Sequence, residues 1–98
     1  MRSSGELHFE WDGEKAAANL KKHKVSFREA TTVFGDPLSL TISDPDHSDT
    51  ERRFVYVGRS HRGRLLVVSY TERGERIRII NARRANRSEQ RQYETQAK

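Results

Sequence analysis

Four stretches with strand-like patterns occupy the middle of the chain, and only short turns separate the last three. Residues 38–43, 52–60, 64–72 and 75–83 carry alternating or nearly continuous apolar side chains, which is typical of strands that bury one or both faces. The last three are joined by HRG and RG, and such short connections favour antiparallel neighbours. We therefore predict an antiparallel sheet whose central strand is 64–72, the most apolar of the four.

A short strand and a helix are predicted to precede this sheet. Residues 6–11 alternate as ELHFEW, and Asp12 is placed to cap a helix over GEKAAANLKKH, because a carboxylate there accepts hydrogen bonds from the first backbone N–H groups. The helix has a narrow apolar stripe at helical spacing, formed by Ala16, Leu20 and His23. His23 is therefore interpreted as a residue at the boundary of the core.

A second helix follows with clearer boundary signals. Ser26 is its predicted N-cap, Glu29 occupies the capping-box position, and Val25 packs against Ala30 as a hydrophobic staple. The GDP sequence at 35–37 ends the helix. Its predicted buried face consists of Phe27, Ala30, Val33 and Phe34.

The last predicted helix is mostly polar. Asn86 is its N-cap, Glu89 again occupies the capping-box position, and Tyr93 and Ala97 form nearly the whole apolar stripe. The predicted order is therefore β-α-α-β-β-β-β-α. This order indicates an α+β domain with an antiparallel sheet, two helices after the first strand, a C-terminal helix, and the helices grouped on one face.

The composition favours a polyanionic partner. The 98 residues include 19 Lys+Arg against 14 Asp+Glu, which gives a net charge of +5, and most of the basic residues are arginine. A positive field of this kind attracts nucleic acid, an anionic membrane or an acidic protein. No stretch approaches the roughly 20 apolar residues of a spanning helix, so we expect a cytoplasmic protein without membrane contact. The absence of cysteine excludes disulfides and thiolate zinc sites. We expect a flexible tail at residues 1–5 and a single domain at residues 6–98.

The most basic stretch is IRIINARRANRSEQRQY, residues 77–93. Ile77 and Ile79 are predicted to share one sheet face while Arg76 and Arg78 share the other. Guanidinium groups bind phosphate oxygens in bidentate pairs and stay charged at any accessible pH. We predict a nucleic-acid-binding surface to which three arginines along one side of the last helix contribute, together with three other cations; these residues are Arg84, Arg87, Arg91, Lys21, Lys22 and Arg64. The alternative is a solvated basic face.

The acidic stretch DPDHSDTERRF at 44–54 does not have the spacing of a calcium loop. An EF-hand needs glycine at its sixth place and glutamate at its twelfth, and those places hold Asp49 and Val55. No histidine pair has the i, i+4 spacing of a zinc helix, so we predict no metal site. His47 is a candidate proton carrier because imidazole titrates near neutrality. Its alternative role is a loop histidine hydrogen-bonded to its neighbours.

Taken together, these motifs resemble one known family. FEWD, NLKKHKVSF, DPDHSDTERRF, GRLLVV and IRIINARRA, followed by a glutamate and a tyrosine, lie within residues 9–93 and are similar to the BrnT family of ribonuclease toxins. The resemblance implies a RelE-like fold, metal-independent cleavage of mRNA that inhibits translation, and no cofactor. It also implies a BrnA-type ribbon-helix-helix antitoxin, encoded beside the toxin, that neutralises it and represses their operon. Operator DNA would then be contacted only through the antitoxin.

The same resemblance implies site residues. The positions that match the family's motifs are Arg53, Arg78, Arg83, Glu89 and Tyr93. The implied chemistry is attack of a ribose 2′-oxygen on the adjacent phosphate, with the three arginines holding the charge of the phosphorane. His47 and Glu51 are the candidates for the general base, and Tyr93 would orient the substrate or share the proton transfer.

The spacing of two of these arginines sets a condition on the proposed site. Arg78 and Arg83 are five positions apart, so in a regular strand they face opposite sides of the sheet. They share a face only if a bulge or a strand end intervenes. A non-catalytic module that binds RNA or a protein partner is the alternative function.

Lys24 departs from the family pattern, which usually has glycine after the KH motif. A helix that ends at this position favours a residue with positive φ. We therefore predict a positive φ at Lys24, with a cost of about 1 kcal/mol because the residue carries a Cβ atom.

Overall fold

The computed structural model describes residues 7–43 and 53–97. The strands are β1 (His8–Glu10), β2 (Leu40–Ser43), β3 (Arg53–Arg59), β4 (Leu65–Arg73) and β5 (Arg76–Arg84). The helices are α1 (Gly13–His23), α2 (Phe27–Thr32) and α3 (Arg87–Ala97), and a 3₁₀ turn, Val33–Gly35, follows α2. The α+β class and the order of helices and strands predicted from the sequence are confirmed. No helix in this described part is long and apolar enough to span a membrane.

The five strands form one sheet in the order β1-β5-β4-β3-β2, so the predicted central strand is β4. The pairs from β2 to β5 are antiparallel, as predicted. The first strand departs from this antiparallel pattern, because β1 pairs in parallel with β5 at one edge of the sheet. Parallel strands need a long crossover connection, and most of the chain lies between β1 and β5.

The helices cover both faces of the sheet rather than one. The first two pack against one face, around a core in which Val25, Phe27, Leu66 and Val68 are buried. The third packs on the opposite face, and the prediction that it shares the first face was wrong. This arrangement explains why β4 is apolar along most of its length. Both faces of the strand are covered, so polar residues do not alternate regularly with apolar ones. The residues of the second cluster are Val57, Val67 and Tyr93, with Leu40, Val55, Leu65 and Ala85 packed around them.

Side-chain caps define the beginning of each helix as predicted. Asp12 accepts hydrogen bonds from the first backbone N–H groups of α1, and Ser26 Oγ accepts one from Glu29 N at 3.0 Å. Asn86 and Glu89 form a complete capping box, because each side chain accepts a hydrogen bond at 2.8 Å from the other's backbone N–H. These local bonds satisfy donors that have no partner within the helix.

Asn19, and not Leu20, is the residue that fastens α1 to the sheet. Asn19 is 7% exposed while Leu20 is 50% exposed, so the apolar stripe predicted for this helix was wrong at Leu20. The Asn19 amide nitrogen donates to Val25 O at 2.9 Å and to Ala82 O at 2.8 Å. Its amide oxygen accepts from Ala82 N at 3.1 Å. The strand β1 pairs only with residues 76–78 of β5. Farther along β5, at Ala82, the Asn19 side chain makes the backbone hydrogen bonds that a neighbouring strand would otherwise make.

Replacing Asn19 by alanine is expected to lower the free energy of unfolding by about 2–4 kcal/mol, because buried backbone groups of Ala82 and Val25 lose their partners. Urea denaturation of N19A and of L20A gives the comparison. Leu20→Ala should change stability far less, since half of that side chain is exposed. Equal losses in the two variants would contradict this role for Asn19.

Lys24 ends α1 with φ 61° and ψ 31°, the left-handed conformation predicted for it. Its N–H donates to Leu20 O at 2.9 Å, which closes the last turn of the helix. Gly63 and Gly74 also have positive φ, and Lys24 is the one residue with a Cβ atom to do so in the described part of the chain.

Replacing Lys24 by glycine is expected to raise the free energy of unfolding by about 1 kcal/mol, because glycine adopts positive φ without the Cβ penalty. Thermal or urea unfolding measures the change. Lys22→Gly, within the same helix, should instead lower stability by about 1 kcal/mol. Destabilisation by both changes would show that Lys24 is not strained.

Candidate functional site

Three arginines lie on the face of the sheet that α3 covers only in part. Arg78 of β5 pairs across the ladder with Thr71 of β4, and Thr71 pairs on its other side with Arg53 of β3. Directly opposed residues in neighbouring strands share a face. Arg78, Thr71 and Arg53 therefore form one row across three strands.

A β-bulge in β5 places Arg83 on this same face. Asn81 pairs with Ser69 and Ile79 with Tyr70, so Ile80 is an extra residue with no partner across the ladder. One extra residue reverses the alternation of side chains along the strand, and Arg83 becomes the partner of Val67. Val67 and Thr71 are both on this face of β4, because even spacings along a strand keep a side chain on one face. A bulge therefore lies between Arg78 and Arg83, which is the condition under which the two residues share a face.

We call the surface defined by Arg53, Thr71, Arg78 and Arg83 the arginine face. Arg78 is held there by Glu10, the residue directly beside it on β1. The Arg78 guanidinium donates to Glu10 Oε2 at 3.2 Å, and Arg76 donates to Oε1 at 3.5 Å. The hydrogen bond from Arg78 is the main cause that lowers the pKa of Glu10. Glu10 is a residue of the candidate site that the sequence patterns did not identify, since it was interpreted as the polar half of an alternating strand.

Arg83 is held by a bidentate pair with Glu89 at the start of α3. Its two terminal nitrogens donate to Glu89 Oε1 at 2.9 Å and to Oε2 at 2.8 Å. This pairing lowers the pKa of Glu89 and raises the pKa of Arg83. Glu89 thus closes the capping box of α3 and also fixes the guanidinium. Such a fork geometry gives Arg83 one defined orientation on the arginine face.

Tyr93 anchors α3 on the sheet. It is 4% exposed and packs with Val57 and Val67. Its hydroxyl donates to Asp36 Oδ2 at 2.7 Å, and the Arg59 guanidinium lies 5.5 Å from the ring centroid. Burial is the main cause that raises the pKa of Tyr93, followed by Asp36. This geometry favours the packing role predicted for Tyr93 from the apolar stripe of the last helix over contact with a substrate.

Arg64 does not join the arginine face. Its guanidinium donates to both carboxylate oxygens of Glu29, one of them at 3.0 Å, and to Lys24 O at 3.0 Å. Hydrogen bonds from Arg64 are the main cause that lowers the pKa of Glu29. The prediction that Glu29 completes a capping box is met only in part, because its carboxylate binds Arg64 and Ser60 instead.

The other predicted phosphate-binding cations are dispersed. Arg84 ends β5 and pairs with Leu66 of the helix-covered core, so it does not continue the α3 side formed by Arg87 and Arg91. Arg91 lines a cleft of about 480 Å³ between α3 and Leu40. The two remaining lysines, on the exposed side of α1, are Lys21 and Lys22.

His47 and Glu51 lie outside the described residues, so their predicted role as general base stays a prediction. Among residues 7–43 and 53–97, no group of three His, Asp or Glu side chains is arranged to hold a metal ion. The arginine face combines three guanidinium groups, the buried hydroxyl of Thr71 and two carboxylates, those of Glu10 and Glu89. This set of groups is suited to binding an anion and to stabilising negative charge.

Comparison with known proteins identifies the family. A family model described as the ribonuclease toxin BrnT of a type II toxin-antitoxin system matches residues 11–89. The crystal structure of the Brucella abortus ribonuclease toxin BrnT has a similar fold, with a TM-score of 0.62 and 19% sequence identity, over 84% of this chain and 100% of that one. A search of curated proteins found no match. The chain belongs to the BrnT family of ribonuclease toxins of type II toxin-antitoxin systems.

Proposed function

We propose that this protein is an endoribonuclease that cleaves mRNA in the cytoplasm, inhibits translation, and binds the scissile phosphate on the arginine face. The observation that carries the proposal is the unpaired Ile80, because it brings Arg83 to the same side of the sheet as Arg78 and Arg53. Three guanidinium groups on one open face can neutralise a phosphate and the additional charge that develops during its attack.

The proposed reaction begins with attack of the ribose 2′-oxygen on the neighbouring phosphorus. The P–O bond to the 5′-oxygen breaks, which leaves a 2′,3′-cyclic phosphate and a new 5′-hydroxyl end. The 2′-hydroxyl loses its proton to a base, and the departing 5′-oxygen takes one from an acid. The residues proposed to stabilise the dianionic phosphorane are Arg53, Arg78 and Arg83. Because guanidinium groups supply this positive charge, we propose that the reaction needs no metal ion.

Arg83 is the best preorganised of the three. Its bidentate pair with Glu89 fixes the plane of the guanidinium before the substrate arrives. Fixed donors need no reorganisation as charge develops, which makes them effective in stabilising a transition state. Arg78 is held less tightly, by one hydrogen bond at 3.2 Å to Glu10. We therefore assign Arg83 to charge stabilisation and Arg78 to the capture and orientation of the phosphate.

Glu10 is proposed as a positioning residue and not as the general base. Its pKa is lowered, chiefly by the hydrogen bond from Arg78, so its carboxylate has little tendency to take a proton near neutral pH. His47 and Glu51 remain the candidates for the base. Tyr93 is proposed to act indirectly, by holding α3 and with it Glu89 against the sheet.

We also propose that a BrnA-type ribbon-helix-helix antitoxin neutralises this toxin and represses their operon, with operator DNA contacted only by the antitoxin. The net charge of +5 and the arginine face support an acidic segment as the inhibitory element. Such a segment would occupy the phosphate-binding groups and exclude RNA.

Arg78→Ala and Arg83→Ala are each expected to lower the cleavage rate about 10²–10³-fold, because each removes a donor to the developing charge. Arg28→Ala is the matched control, since Arg28 is exposed on α2 at the other face of the sheet. Cleavage of a defined transcript by the purified chain measures the rates, and circular dichroism checks the fold of each variant.

Undiminished cleavage by both arginine variants would contradict the assignment of the site. RNA binding without any cleavage by the unmodified chain, across the pH range, would favour the non-catalytic module. Arg83→Lys separates charge from geometry, because lysine keeps the charge but loses the fork that pairs with Glu89. We expect this variant to be slower than the unmodified chain and faster than Arg83→Ala.

The affinity of the antitoxin is expected to fall as salt rises. Raising the ionic strength from about 0.1 M to about 1 M shortens the Debye length from about 10 Å to about 3 Å, which weakens attraction between the arginine face and an acidic segment. Titration calorimetry of the purified pair at several salt concentrations measures the effect. A complex indifferent to salt would indicate an apolar interface in place of the charged one.

A further inference from the structure

We propose that the hydroxyl of Thr71 is a phosphate-binding group, which completes a subsite with Arg78 and Arg53 for an RNA phosphodiester. This inference rests on the proposed function and adds a residue to its site. It assigns a role to a side chain that neither the sequence motifs nor the family resemblance singles out.

The first observation is that Thr71 Oγ1 has no hydrogen-bond partner. It is the one buried side-chain nitrogen or oxygen in residues 7–41 and 53–96 that lacks one, and Thr71 is 1% exposed. The other buried polar side chains are satisfied: Asn19 binds Val25 and Ala82, and Glu29 binds Ser60 and Arg64. A buried hydroxyl without a partner is rare in native proteins and costs free energy, so a partner absent from the free chain is expected.

The second, independent observation is the position of this hydroxyl. Thr71 lies in the ladder directly between Arg78 and Arg53, and directly opposed side chains have Cβ atoms about 4.5–5.5 Å apart. Both neighbours carry long side chains whose stems can cover a residue between them while the charged ends reach solvent. An anion that is held by both guanidinium groups would therefore lie above Thr71.

The chemistry of the row matches a phosphate group. A hydroxyl donates one hydrogen bond and each guanidinium donates several, so the row offers donors from three strands to one tetrahedral anion. Arg78 is the movable member, since its hydrogen bond to Glu10 is a single one at 3.2 Å. A phosphate that draws Arg78 away from Glu10 would uncover Thr71 and satisfy its hydroxyl in the same movement.

Such a subsite would act beside Arg83, which the bulge places on the same face but not in the same row. The row would capture the scissile phosphate and fix its position, and Arg83 would stabilise the charge that develops on it. The affinity of an RNA oligonucleotide, measured apart from its cleavage, would then depend on Thr71.

Thr71→Val tests the proposal, because it replaces the hydroxyl by a methyl group at nearly constant volume. The probe is a short RNA with 2′-O-methyl riboses, which binds but cannot be cleaved, and its affinity is measured by fluorescence anisotropy. Removal of a hydrogen bond to a charged group is expected to weaken binding about 10-fold or more. Thr71→Ser, which retains a hydroxyl, should recover most of this affinity. Thr41→Val is the matched control, since Thr41 pairs with Tyr56 and lies on the other face of the sheet.

The melting temperature of the variants in the absence of RNA provides a second measurement. Because valine removes the unsatisfied hydroxyl, T71V is expected to melt at the same temperature as the unmodified chain or higher. Higher stability together with weaker RNA binding is the combination that a purely structural threonine would not produce. If T71V fails to fold, T71A and T71S give the same comparison of affinity with and without the hydroxyl.

Equal RNA affinity in T71V and the unmodified chain would overturn the inference. A T71V variant that loses only antitoxin binding would also overturn it, because the row would then bind a carboxylate of the partner. A variant that loses only binding of inorganic phosphate would overturn it too, because the row would then not bind the RNA strand. Failure of the proposed function would be seen separately. In that case unmodified RNA is not cleaved by the chain, while the 2′-O-methyl RNA still binds in a manner that depends on Thr71.

Discussion

The unpaired Ile80 in β5 determines which side of the sheet each arginine of that strand occupies. Without it, Arg83 would point toward the face covered by α1 and α2, where its neighbours include Val68 and Ala82, both fully buried. A guanidinium without a partner there would be strongly destabilising. With the bulge, Ile79 and Ala82 keep their places in the core on one face, while Arg83 lies opposite. The bulge at Ile80 thus keeps the apolar residues of β5 in the core and places Arg78 and Arg83 on the same face of the sheet.

The repulsion among the three guanidinium groups of the arginine face must also be compensated in the free protein. Like charges on one face repel each other, and the two carboxylates Glu10 and Glu89 reduce this repulsion where they pair with Arg78 and Arg83. These pairs differ in kind. Glu89 binds through two hydrogen bonds and closes a helix cap, so it belongs to the permanent framework. Glu10 binds Arg78 through one, and an incoming phosphate can compete with it. A rigid donor beside a releasable one supports the proposed assignment of phosphate capture to Arg78 and of charge stabilisation to Arg83.

The sequence predicted the elements that depend on neighbouring residues. The caps at Asp12, Ser26 and Asn86, the positive φ of Lys24 and the central position of β4 are each set by local pattern, and each is present. What the sequence did not predict depends on contacts between distant segments. A helix with few apolar residues gives no sign of which sheet face it will cover, so the position of α3 was assigned wrongly. The same limit explains Asn19, whose amide binds Ala82 far along the chain.

The candidate site shows the same difference between what local sequence predicts and what contacts between distant segments determine. Motifs and family resemblance named Arg53, Arg78 and Arg83, but only the register of the ladder places them in relation to Glu10 and Thr71. A threonine in a strand is an ordinary strand residue in sequence, and its unsatisfied hydroxyl becomes visible only when every neighbour is known.

The anchoring of α3 connects packing with chemistry. Tyr93 packs with Val57 and Val67 and donates to Asp36, which fixes the helix over one end of the sheet. The first turn of that helix carries Glu89, and Glu89 orients Arg83. Tyr93 can therefore determine the orientation of the Arg83 guanidinium, because α3 connects its position rigidly to that of Glu89. The orientation of Arg83 thus depends on the second core around Tyr93, and in the proposed function the RNA phosphate is bound beside that core.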